Sequence, residues 1–345
     1  MKKNRLTLIA FVALAACAVW LIWSRSASTL KGELRDFAYP DTASINRIFL
    51  ADRQGNRSDL VRQPEGTWRV NDKYDVRPDM INNLLKTICQ VEVRSPVGKN
   101  LYNNTMKLMA ARSVKVEIYA GDDVLKTYYV GHPTADNLGT FMYMEGSIVP
   151  FITHIPGFDG FLSTRYVTAE TEWRDRSVYR YDPRKITVVE VRDLARPERS
   201  FRMNRNPDST YAVILTRDGK PVQPVDINLA RSFLVSFQAT FFDRVDYEMA
   251  KARKDSITGA GPFAMISVKL DDGTEKSLTC FRKPVTKGSN QQYDPYGKEY
   301  PYDMNKFYAI MTGDTSLLVC QYFHFDRIFK DPYAFKTGAA QVTSP

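Results

Sequence analysis

Two β-hairpins of one design, set far apart in the chain, constrain its fold more than any other feature. Val114 to Tyr119 and Val124 to Val130 alternate apolar and polar residues on either side of Gly121-Asp122-Asp123. Ala264 to Leu270 and Lys276 to Arg282 repeat that alternation across Asp271-Asp272-Gly273. A period of two broken by Gly and Asp is the pattern of an antiparallel hairpin with one buried face. Each hairpin also follows the same order of segments.

In the first half, Ile45 to Ala51 reads as a strand, Asp59 to Arg62 as its partner beyond Gln54-Gly55-Asn56, and Thr67 to Val70 as a third. Pro78 opens a helix at the first-turn position proline favours; Met80, Ile81, Leu84, Leu85 and Ile88 recur on one face. Val91 to Val93 is a strand and Asn104 to Arg112 a second helix, and Thr140 to Met144 and Ile148 to Thr153 follow the hairpin. In the second half, Lys185 to Arg192, Ser200 to Met203 and Tyr211 to Thr216 are strands. Asp226 is a favourable N-cap for a helix whose Ile227, Ala230, Leu234 and Phe237 share a face. Phe241 to Val245 reads as a strand and Tyr247 to Ser256 as a helix. Lys306 to Met311 and Leu317 to Phe323 close the half.

Ile45 thus corresponds to Ile186 and Val116 to Val268, by pattern rather than by identity. The expected fold class is α+β, with an N-terminal transmembrane helix followed by two tandem, similar α+β modules with antiparallel sheets. The expected divisions are 1–30 (cytoplasmic tip, anchor and tether), 31–165 (first module), 166–335 (second module) and 336–345 (flexible tail). Periodicity is lost between them, near Phe161 to Arg176. The modules differ in one place. Gly131 to Gly139 is a compact connection, whereas its counterpart, Pro284 to Asn305, is long and carries Tyr293, Tyr296, Tyr300 and Tyr302. Long loops on rigid scaffolds often carry binding.

Leu6 to Trp23 holds 18 residues with no charge, interrupted only by Thr7. As a helix it spans about 27 Å, close to the ~30 Å hydrocarbon core of a bilayer. Lys2, Lys3 and Arg5 precede it, an excess that keeps the N-terminus cytoplasmic and sends the body outward. The expected location is the inner membrane, single-pass, with a periplasmic body. A cleaved signal peptide is the first alternative. Leu14-Ala15-Ala16-Cys17 supplies a second, because it has the form of a lipoprotein box in which Cys17 would be acylated. Ala18 to Trp23 is not the polar tether such a site needs, so an unmodified anchor is the expected outcome.

At 43% apolar and 25% charged residues the body is ordinary globular protein. Of the net charge of +9, Lys2, Lys3, Arg5 and Arg25 flank the anchor; removing these four leaves +5, too little to argue for nucleic acid. Beyond Cys17 there are Cys89, expected as a small core residue, and Cys280 and Cys320, both in expected strands. Two buried thiols are expected there, with a bridge between them as the alternative.

The chain resembles the membrane-anchored proteins grouped as "domain of unknown function 4340" in Gram-negative bacteria. GELRDFAYPDTASINRIFLAD (Gly32 to Asp52) and GTWRVNDKYDVRPD (Gly66 to Asp79) carry the resemblance. So do KVEIYAGDDVLKTYYVGHPTADNLGTFMYMEGSIVPFITHIPGFDGFLSTRY (Lys115 to Tyr166) and EWRDR (Glu172 to Arg176). It implies an exported, anchored body of repeated α+β units, encoded in some members beside gliding-type ABC transporter components. It implies no catalytic residues. The chain departs from it at Cys17, where a plain anchor is implied.

No catalytic signature emerges from the residues. His132, His154 and His324 share no ligand spacing, and there is no Walker loop, nucleophile elbow or dinucleotide fingerprint. Asp122-Asp123 and Asp271-Asp272 occupy hairpin turns, where aspartate is wanted for local hydrogen bonding. No cofactor or metal is expected, and no enzymatic activity. Two stretches are candidates for contact: the tyrosine-bearing insertion, with a packed loop covering its own strands as the alternative, and Trp173, Arg174 and Arg176 at the join, with a clamp between the modules, Trp173 buried and the arginines paired, as the alternative. The expected function is an outward-facing accessory protein of the cell envelope that binds a protein partner, with an ABC-type transporter suggested by the resemblance. The alternative is a module that binds glycan, lipid or peptide between the two halves.

Overall fold

A computed structural model describes residues 35–338. The Leu6 to Trp23 run and Cys17 lie outside these residues; among the described residues no helix is long and apolar enough to cross a membrane. The protein is α+β, built on two large antiparallel sheets with few helices. It divides into two compact units, the first ending at Asp175 and the second starting at Arg176.

The first unit contains β1 (Arg47–Ala51), β2 (Arg57–Arg62), β3 (Trp68–Val70), β4 (Tyr74–Asp75), β5 (Glu92–Pro96), β6 (Val114–Ala120), β7 (Asp123–Pro133), β8 (Thr140–Met144) and β9 (Phe151–His154). They form one sheet in the order β4-β3-β2-β1-β6-β7-β8-β9-β5. Registry places Val70, Leu60, Ile48 and Ile118 side by side across four strands, and all four are buried. The period-two pattern seen in the sequence is this row and its neighbours. The helix Pro78–Gln90 starts with proline at its first turn and buries Ile81, Leu84 and Ile88 in the same core. Each such side chain contributes roughly 1.5–3 kcal/mol by leaving water.

The second unit contains β10 (Ser177–Tyr179), β11 (Ile186–Asp193), β12 (Phe201–Arg205), β13 (Tyr211–Leu215), β14 (Pro221–Val222), β15 (Thr240–Phe241), β16 (Arg244–Val245), β17 (Ala264–Leu270), β18 (Glu275–Arg282), β19 (Lys306–Met311) and β20 (Leu318–Gln321). Its main sheet runs β14-β13-β12-β11-β17-β18-β19-β20-β16, and β10 pairs separately with β15. Position by position, this is the strand order of the first sheet. Val222, Val213, Met203, Val189 and Val268 form the corresponding buried row. Asp226 caps the helix Ile227–Val235, its carboxylate accepting from the N–H groups of Asn228 and Leu229 at 2.8 and 3.2 Å. Ala230, Phe233 and Leu234 face that core.

Each unit is closed by the segment that follows its last strand. In the first, Arg174 bridges Val76, the Arg77 N–H donates to the Trp173 carbonyl (2.8 Å), and the Asp175 N–H donates to the Asp75 carbonyl (2.7 Å). In the second, Lys336 bridges Val225, the Asp226 N–H donates to the Phe335 carbonyl (2.8 Å), and the Thr337 N–H donates to the Pro224 carbonyl (2.9 Å). Trp173 and Phe335 are both buried in their own unit's core. This clasp moves the division between the units from residue 165 to Asp175, because Tyr166 and Trp173 pack with the first core.

Other expectations shift for local reasons. Phe241 to Val245 is not one strand: the chain changes sheets at Phe242 and Asp243, whose N–H groups donate to the carbonyls of Arg176 and Val319. The strand expected to end at Phe323 stops at Gln321, and Tyr322–Phe325 coils into a short helix. The helices expected at Asn104 and Tyr247 occupy Lys99–Arg112 and Lys251–Gly259. Cys280 and Cys320 are buried, unbonded thiols, both pushed up in pKa by burial. Strand β19 separates them and registry offsets them by two residues, so their Cα atoms lie more than about 9 Å apart, beyond the reach of a bridge. Cys89 is half-buried rather than a core residue; Ile88 takes the core position.

Candidate functional site

The insertion of the second unit is an ordered structure anchored at a buried root. In the first unit, residues 134–139 join β7 to β8; in the second, residues 283–305 join β18 to β19. At the root, Lys283 Nζ donates to Asp303 Oδ2 at 2.8 Å, and Ser289 Oγ donates to the same oxygen at 2.8 Å. The N–H groups of Asn305 and Lys306 donate to Asp303 Oδ1 at 2.9 and 3.0 Å. Both charged side chains are nearly inaccessible, at 7% and 2% exposure. Burial pushes the Asp303 carboxyl up, but the donors of Lys283, Asn305 and Ser289 outweigh it and hold it below the usual carboxylate range.

Above this root the chain forms a small hairpin. The N–H groups of Tyr296 and Lys298 each donate to Asp294 Oδ1 at 2.9 Å, Tyr293 bridges Glu299, and the Tyr300 N–H donates to the Gln292 carbonyl. Pro295 presets its φ, and Gly297, at φ +82°, supplies the left-handed residue that lets the turn close. The tip therefore presents Tyr296 at 95% exposure, with Tyr293 and Tyr302 also exposed and Tyr300 half-buried. Met304 and Phe323 are exposed as well. Lys306 pairs with Gln321 and the Tyr322 N–H donates to the Asn305 carbonyl, so the insertion ends beside the start of the short helix Tyr322–Phe325. Phe323 is 79% exposed. The guanidinium of Arg282 lies over Phe263 (4.4 Å), near Tyr302 (5.6 Å), and donates to the Tyr322 hydroxyl.

Beneath the insertion lies a cleft of about 400 Å³. Arg244, Asp246, Glu248, Arg253, Lys283, Asn305 and Tyr308 line it, and the Tyr308 hydroxyl donates to Asp246 Oδ2 at 3.5 Å. Lys306 Nζ donates to Asp243 Oδ2 at 2.7 Å, and Asn305 Nδ2 is buried without an acceptor. Burial and then the charge of Asp246 push the Tyr308 hydroxyl up, against the opposing pull of Arg253 and Arg244.

The join residues differ in exposure. Trp173 is fully buried and its Nε1 donates to the Val167 carbonyl at 2.8 Å. Arg174 is buried with its guanidinium 4.2 Å from the Tyr74 ring centre. Side chains so enclosed offer little to a partner; their place in the clasp accounts for them. Arg176 is exposed and donates to the Asp243 carbonyl at 3.3 Å. The sequence reading missed Met304, Phe323 and the cleft residues, which no local pattern marks and which come from separate segments at 244–253, 283–290 and 303–308.

The histidines assemble no catalytic group. His132 packs on Phe141 at 4.7 Å, where burial lowers its pKa; His154 lies on β9 opposite Glu92; His324 is exposed beside Phe323. Among the described residues no cluster of His, Cys, Asp and Glu could hold a metal ion. Asp272 serves its turn, accepting from the Thr274 N–H at 2.8 Å. Comparison of the chain with family models, curated proteins and solved structures finds no match.

Proposed function

We propose that the chain is a membrane-tethered, outward-facing accessory protein of the bacterial cell envelope, which binds a protein partner through the insertion of its second unit. The observation that carries this reading is the exposure of Tyr293, Tyr296, Tyr302 and Met304 on an insertion anchored by the buried Lys283–Asp303 root, with Phe323 also exposed on the short helix after β20. Aromatic rings fixed in solvent supply contact area at little cost in ordering, which is the composition of interface hot spots. The apolar run Leu6 to Trp23 and the basic residues before it support the tether and the outward body. The resemblance to the domain-of-unknown-function 4340 group supports an envelope setting beside ABC-type transporter components. Matching strand orders and matching clasps support descent of the two units from one duplicated module.

The test replaces Tyr293, Tyr296, Tyr302 and Phe323 together with Ser in the full-length chain. A crosslinker incorporated at Lys298, exposed beside these residues and present in both proteins, should capture a defined partner at native expression levels. The fourfold variant should keep its fold by circular dichroism and lose that partner, since hot-spot residues contribute 2 kcal/mol or more each, about 30-fold in affinity. Undiminished capture by the folded variant would refute the assignment of this surface.

A further inference from the structure

We propose that the cleft at the root of the insertion binds a small zwitterionic group, a phosphate and an ammonium carried on one molecule, as in phosphoethanolamine. Of the charged side chains lining it, Lys283 and Asp303 saturate each other, and Lys306 is held by Asp243. Arg244, Arg253, Asp246 and Glu248 remain, and among the described residues none of the four has an ion-pair partner. Two cations and two anions thus share about 400 Å³, a volume suited to a small ligand.

The balance of charge selects the ligand. A simple anion would gain from the guanidinium groups and lose to the carboxylates, and a simple cation would meet the reverse. A molecule bearing both signs gains at both ends. The phosphate end fits the arginines, whose planar forks match a tetrahedral oxyanion. It also fits two further features: Asn305 Nδ2, a buried donor without an acceptor, and the start of the helix Lys251–Gly259. That start has no side-chain cap, and Met249, Ala250 and Arg253 face the cleft. The ammonium end fits Asp246 and Glu248. In the first unit the connection at residues 134–139 is too short to build such a wall.

Titration calorimetry on the full-length chain in mild detergent tests this with O-phosphoethanolamine, inorganic phosphate and ethanolamine at matched ionic strength. Phosphoethanolamine should bind at least about tenfold more tightly than either fragment, the worth of one charged hydrogen bond. The double variant Arg244→Ala/Arg253→Ala should lose binding of phosphoethanolamine and of phosphate. The double variant Asp246→Asn/Glu248→Gln should keep phosphate binding and lose the tenfold preference. All four positions reach the surface, so circular dichroism should be unchanged. Vesicles of phosphatidylethanolamine added to the same assay identify the source. Competition by vesicles assigns the group to a lipid headgroup, and binding of the soluble molecule alone assigns it to a free ligand; either supports the site. No binding of phosphoethanolamine, or binding that survives both double variants, overturns it. The partner test alters the tyrosines and this one the cleft, so the two can fail separately.

Discussion

Lys283 and Asp303 show what a single buried pair does for a surface. Together with Ser289 and two backbone N–H groups they turn a long polar connection into a fixed platform. Because the folded carboxyl is held below its ordinary value of 3.8, its contribution is present above that value and is lost as pH falls below it. Urea unfolding of the second unit should therefore weaken in that acid window. Asp303→Asn should flatten that dependence and destabilise the protein at neutral pH by about 3–5 kcal/mol, because Lys283 stays buried with its counter-charge removed. Equal acid sensitivity in both proteins would show that the pair is not the cause. Little of this was legible beforehand. The tyrosines stand out in a Pro- and Gly-rich stretch, but the pairing of Lys283 with Asp303 joins residues 20 positions apart, and no local pattern marks it.

At the scale of elements, the sequence was most readable where one period repeats over a full strand. β17 and β19 lie at the expected residues, and Asp226 caps its helix as its side chain predicts. Failures fall where tertiary pairing overrides local pattern. Phe241 to Val245 alternates like a strand, yet its two ends join different sheets. Trp173, expected either as a contact or buried in a clamp between the modules, is buried and anchors a clasp within the first unit. Trp173→Ala should destabilise the first unit by about 3–5 kcal/mol, the usual cost of emptying a large aromatic site. Arg176→Ala should change stability by less than about 0.5 kcal/mol, as expected of a surface position. Denaturant midpoints of the two variants compare the two sites directly, and equal effects would contradict the clasp.

For the whole molecule, the shared strand order was visible as an order of segments and the boundary was not, because residues 166–175 lose periodicity while remaining packed with the first core. The clasp predicts where the chain can be cut. A fragment of residues 35–175 should fold cooperatively, with dispersed amide resonances. A fragment of residues 35–165, lacking Trp173 and its backbone bonds to Asp75 and Arg77, should be molten or aggregate. Equal dispersion in the two spectra would show that closure is dispensable.

The clasp also orders events in time. A ribosome releases the chain from its N-terminus, so all nine strands of the first sheet emerge before Trp173 does. Until then the rim beside β4 remains an open template for any passing strand, its own or a stranger's. The nascent first unit is thus most vulnerable after His154 has emerged and before Asp175 has. A pause placed there should cost more yield than the same pause placed a few residues later.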